Sequence, residues 1–102
     1  MKTNPSQKIM KLFFSTVEKS RDFLDRLGVV EIGLFGSCVR GDFTSESDVD
    51  VLVKFKENTF DSYIELKFFL ESKLGRKVDL VLKSSLKARI KKYVMKEVRY
   101  AA

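Results

Sequence analysis

Apolar residues recur at Ile9, Leu12, Phe13, Val17, Leu24 and Leu27, mainly at three- and four-residue steps, a spacing that predicts an amphipathic helix. Asn4-Pro5-Ser6-Gln7 supplies its start: Asn4 as N-cap, Pro5 where its missing N–H costs nothing, and Gln7 reaching back. This helix is expected from Pro5 to about Arg26, ended by Gly28 in a left-handed conformation. Val29 to Phe35 is an apolar run broken only by Glu31 and Gly33, long enough for a strand and too short for an independent helix. Cys38 to Gly41 has room for one or two helical turns, Asp42 to Ser47 has loop composition, and Asp48 to Phe55 alternates as a strand does.

Asn58 or Thr59 can cap a second long helix, Phe60 to Leu74, whose Leu66, Phe69, Leu70 and Leu74 form an apolar stripe closed by Gly75. Lys77 to Leu82 is the third expected strand. Ser84 or Ser85 can cap a last helix in which Leu86, Ile90, Val94 and Val98 recur every fourth residue, leaving basic residues on the other faces. Strands interleaved with helices imply an α/β or α+β fold, a small sheet with helices packed on it; the order of the strands is left open.

At 102 residues and 44% hydrophobic content, the chain is expected to form a single domain, residues 1–102, with enough apolar mass for a core. The lone Cys38 excludes an internal disulfide, and the N-terminus lacks the pattern of a secretion signal, so the cytoplasm is the expected location. No uncharged apolar stretch approaches the ~18 residues of a membrane span.

The net charge of +6 is concentrated at one end. The segment after Leu82 carries Lys83, Lys87, Arg89, Lys91, Lys92, Lys96 and Arg99 against Glu97 alone. Such a segment suits an acidic protein surface or RNA, although a basic helix is more often simply solvated; direct nucleic-acid binding is therefore not favoured. Histidine is absent, which removes imidazole as base, nucleophile partner or zinc ligand and turns the search to Asp and Glu.

Along a strand alternate side chains share a face, so Asp48 and Asp50 look the same way. Two acids roughly 7 Å apart repel and can hold a cation between them. Asp79 sits among Val78, Leu80, Val81 and Leu82, where a carboxylate must be protonated, paired or bound to metal. Each acid alone could be a solvated or lysine-paired strand end; together, after a Gly-Ser turn, they point to a hard cation, Mg²⁺ or Mn²⁺. Gly36-Ser37 falls where a strand gives way to a helical turn, with backbone N–H groups and a hydroxyl free to meet phosphate, although simple capping uses the same residues. Arg40 is a candidate phosphate ligand or an exposed partner of Asp42 or Glu46; Gly41 ends the turn, and Cys38 reads as a small packed side chain.

The string GSCVRGDFTSESDVDVLV, residues 36–53, resembles the signature of the DNA polymerase β-like nucleotidyltransferase superfamily. Within it, Gly-Ser-x-x-Arg-Gly followed by Ser-Asp-x-Asp is similar to the minimal nucleotidyltransferases (MNT), antitoxin partners of HEPN-domain toxins. The likeness extends to VDLV, residues 78–81, and to the ending IKKYVMKEVRY, residues 90–100. It implies the polymerase β-like fold. It also implies two metal ions on Asp48 and Asp50 with Asp79 joining one of them, the triphosphate of ATP on Gly36 and Ser37, and AMP transfer to a tyrosine of a HEPN ribonuclease, the antitoxin half of a type VII-like pair. Asp79 is then the candidate acceptor of the attacking hydroxyl's proton. The rival expectations are an antitoxin that neutralises by sequestration alone and an RNA-binding module.

Overall fold

The computed structural model describes residues 4–102. Asn4 caps helix α1, Pro5–Lys19, its Oδ1 accepting the Gln7 N–H at 2.8 Å. The single helix expected to reach Arg26 is instead two. Ser20 leaves helical geometry at φ −119°, ψ 22°, its N–H turning back to the Val17 carbonyl, and a second helix, α2, Arg21–Leu27, follows. The break brings Phe23 onto Phe69, ring centroids 4.5 Å apart, so α2 packs on the second long helix rather than extending away.

Strands β1, Val29–Phe35, β2, Val49–Phe55, and β3, Val78–Leu82, form a mixed sheet with a short β4, Arg99–Tyr100. The order is β3-β2-β1-β4, with β1 antiparallel to β2 and β4, and β2 parallel to β3. Between β1 and β2 lies α3, Ser37–Arg40, closed by Gly41 at φ 91°; helix α4, Phe60–Leu74, joins β2 to β3. Thr59 caps α4 by accepting the Ser62 N–H, while Asn58 donates to Ser84 Oγ.

One sheet face carries Ile32 and Leu34, Val49, Val51, Val53 and Phe55, and Val78 and Leu80, buried against Ile9, Phe13 and Val17 of α1, Leu24 of α2, and Leu66, Leu70 and Leu74 of α4. Removing this apolar surface from water, at roughly 25 cal/mol per Å², is the main source of stability. Phe43, in a segment of loop composition, joins the core, its N–H donating to the buried Ser6 hydroxyl.

The opposite face is covered only in part: α5, Ala88–Glu97, leads into β4, which extends the sheet at the β1 edge. Ser84 and Ser85 do not cap α5 as expected; they lie in a 3₁₀ turn, Lys83–Ser85, and the helix starts after Lys87 without a side-chain cap. Nor does its fourth-residue apolar stripe go inside: Val94 is 6% exposed but Ile90 55%. Gly33 is the reason β4 can lie so close, because a Cβ there would meet the Arg99 carbonyl oxygen at 2.8 Å. Glu31, the other interruption in β1, accepts from Lys83 Nζ at 2.8 Å, and that ion pair lowers its carboxyl pKa. Among the described residues, no helix is long and apolar enough to cross a membrane.

Candidate active site

The parallel register of β2 and β3 sets Asp50 beside Asp79. Strands so paired lie about 4.8 Å apart and directly paired residues project to the same face, here the one away from the core. Phe35, paired across β1, completes the row, and Asp48 precedes β2 by one residue. Asp48 and Asp79 are exposed, which corrects the expectation that apolar neighbours would bury Asp79: Val78 and Leu80 face the core and Asp79 faces water.

Asp50 is the half-buried acid. Burial, then the charges of Asp79 and Asp48, push its carboxyl up to about 6, while Arg40 pulls the other way. Among the described residues none of the three aspartates makes an ion pair. No ion pair among the described residues neutralises this negative charge, and its donors are all hard oxygens, the set a divalent Mg²⁺ or Mn²⁺ accepts. Among the described residues no three such side chains are already gathered around one point. Mutually repelling carboxylates have no reason to converge until a cation is between them.

The turn before α3 is shaped around Asp50. Gly36 has φ 77°, ψ −149°, and a Cβ on it would collide with Asp50 Oδ2. Glycine is required on both counts, backbone conformation and space. Ser37 opens α3 and is part-buried. Cys38 is buried, and burial followed by the nearby Asp50 charge pushes its thiol up to about 11, so it is an inert packing group.

Arg40 lies 3.8 Å from Asp42 and does not pair with Glu46; its main partner is Glu97 Oε1, at 2.8 Å. Glu97 Oε2 accepts the Gly36 N–H at 2.9 Å. Pattern reasoning assigned Glu97 no role, although it stood out as the one acid in a basic segment. Phe35, Gly36, Arg40, Asp50, Tyr93 and Glu97 line a cleft of about 520 Å³.

Arg76 was also missed. Its Nη2 donates to the carbonyls of Thr44, Ser45 and Ser47 at 2.9, 3.0 and 2.6 Å, and its guanidinium lies 4.6 Å over the Phe43 ring. It thus ties down the loop leading into Asp48, a task that one arginine between Gly75 and Lys77 does not announce.

Residues 17–101 match the model of the nucleotidyltransferase domain. The protein adenylyltransferase MntA of Thermococcus cleftensis is 52% identical over 81 residues, 78% of this chain and 82% of that protein. A solved minimal nucleotidyltransferase superposes with a TM-score of 0.76 at 33% identity, covering 88% of this chain and 93% of that one. A complex of the tri-AMPylated HEPN toxin of Shewanella oneidensis with its MNT antitoxin contains a similar chain, with a TM-score of 0.64 at 25% identity over 91% of this chain and 71% of that one.

Proposed function

The chain belongs to the nucleotidyltransferase family, and from that premise we propose that it moves AMP from ATP to a tyrosine hydroxyl of a HEPN toxin, silencing the toxin as its antitoxin. The observation that carries this reading is the unpaired Asp50–Asp79 register, with Asp48 one residue before β2 and Gly36 packed on Asp50. The likeness to an adenylyltransferase and to a chain complexed with an AMPylated toxin supports the nucleotide and the acceptor.

Asp48, Asp50 and Asp79 would hold Mg²⁺ or Mn²⁺, two ions in all, with Asp50 central. Bound there, divalent ions neutralise the triphosphate and lower the pKa of the attacking hydroxyl. Gly36 N–H, Ser37 and the Arg40 guanidinium receive the phosphates, and the fork of Arg40 matches two phosphate oxygens. The tyrosine oxygen forms a bond to the α-phosphorus, the bond from that phosphorus to the bridging oxygen breaks, and pyrophosphate leaves. Asp79, exposed and unpaired, takes the hydroxyl proton. The exposed basic residues of α5 offer an acidic partner a surface beside this cleft.

The test is to incubate the protein with Mg²⁺, each nucleoside triphosphate and a HEPN protein encoded beside it, then weigh both proteins by mass spectrometry. AMP adducts on the partner, lost with Asp50→Asn, are the expected result. No adduct from the wild type, or protection of cells unchanged by Asp50→Asn, would replace transfer with sequestration.

A further inference from the structure

Glu97 stands where the proposed function, on which this inference rests, needs a phosphate. Its two carboxylate oxygens take separate donors, Oε2 the Gly36 N–H and Oε1 the Arg40 guanidinium, from an element 57 to 61 residues away in sequence. A carboxylate and a phosphate accept such donors in the same forked manner. We infer that Glu97 is a resident substitute for a nucleotide phosphate, that it must swing away before ATP is seated on Gly36 and Arg40, and that α5 thereby acts as a latch on the cleft.

The contact is electrostatically conditional. Glu97 adds a further negative charge to a cleft already holding Asp50, and it contributes to the upward push on that carboxyl. Its two donors hold it there against this repulsion, so an incoming triphosphate, which competes for the same donors and arrives with cations, removes the reason for Glu97 to stay.

The helix that carries it buries little of itself. Val94 is the buried residue of α5, its N-terminus has no side-chain cap, and Ile90 and Tyr93 stand exposed. Directly after it the chain is fastened to β1: Gly33 and Leu34 pair with β4, and Ile32 exchanges backbone bonds with Ala101 and Ala102. Between the loose helix and the fixed strand lies Val98, extended at φ −61°, ψ 138°. A small rotation there withdraws Glu97 without unmaking the sheet.

Two measurements test the latch: ATP binding by calorimetry in the presence of Mg²⁺, and hydrogen exchange of the backbone amides of residues 94–98. Glu97→Gln keeps the side-chain length and loses the charge, and it is expected to bind ATP about five- to tenfold more tightly than the wild type, the equivalent of one charge-assisted contact removed from competition. Adding ATP should speed exchange of these amides in the wild type and leave the already faster exchange of Glu97→Gln unchanged. Glu97→Asp, too short to span both donors, should shift affinity the same way by less, and it replaces the first variant if circular dichroism shows that one unfolded. ATP binding to the wild type with equal or weaker binding to the variants, or with exchange unaltered by ATP, overturns the latch and leaves the transferase reading standing. ATP binding by none of them overturns both.

Discussion

The space a side chain would need on Gly36 is taken by the Asp50 carboxylate, whose Oδ2 lies well inside contact distance of the point where the Cβ would be built. The backbone turn assigned to phosphate and the central acid are therefore one packed unit: the acid can look toward the cleft because the turn has no side chain.

Gly36→Ala should accordingly do two kinds of damage. The left-handed φ of 77° costs about 1–3 kcal/mol for a residue with a Cβ, and displacement of Asp50 should lower transfer by roughly a hundredfold, as misplaced catalytic groups do. Gly41→Ala is the control, since Gly41 has φ 91° but nothing within 4 Å of the point where a Cβ would stand. Denaturant melts should show a loss of stability for both, larger for Gly36→Ala because its methyl also meets Asp50, and a transfer assay a large loss for Gly36→Ala alone.

Asp50→Asn should stabilise the fold while abolishing transfer. Because the native Asp50 carboxyl is raised to about 6 from 3.8, the native state prefers it protonated. That preference contributes fully below the unfolded value and is lost as pH rises through about 6. At pH 7 the ionised acid therefore penalises the metal-free fold, by about 1–2 kcal/mol once screening by water around this half-exposed group is allowed for. Urea midpoints of the two proteins should differ at pH 7, with the variant higher, and converge below pH 4.

Arg76→Ala should loosen the loop that delivers Asp48. Loss of the hydrogen bonds to Thr44, Ser45 and Ser47 and of the contact with Phe43 predicts about 2 kcal/mol lower stability. Transfer should fall about tenfold or more, and Arg76→Lys should not restore it, because a lysine lacks the flat guanidinium that lies over the Phe43 ring while its Nη2 holds the loop carbonyls. Activity equal to the wild type in either variant would remove Arg76 from any positioning role.

Gly33→Ala should detach β4. The added methyl would lie 2.8 Å from the Arg99 carbonyl oxygen and 2.9 Å from Val98 Cγ2, so the strand must shift at a cost of about 1–3 kcal/mol. Hydrogen exchange at Tyr100 and Ala101 should accelerate while the amides of β2 and β3 stay protected. Protection of the last residues as in the wild type would show that the strand pairing adapts to the methyl.

Much of this molecule is decided locally, which is why it was legible beforehand. Helical and strand periods set Phe13 and Val17 on one face of α1 and put Val49, Val51 and Val53, which the structure buries, on the face of β2 opposite Asp50, since a side chain's face follows from its position in the period. Glycine at 28, 41 and 75 marked helix ends because left-handed residues are needed there. The likeness between residues 36–53 and a known signature points to the family to which the chain belongs. Tertiary packing alone decided that β3 lies parallel beside β2, which sets Asp79 against Asp50, that Ser20 breaks the first helix, and that Arg76 and Glu97 reach elements far away in the chain. No periodicity encodes which strand becomes a neighbour or where a long charged side chain finds its partner, because those outcomes depend on how whole elements bury their apolar faces together.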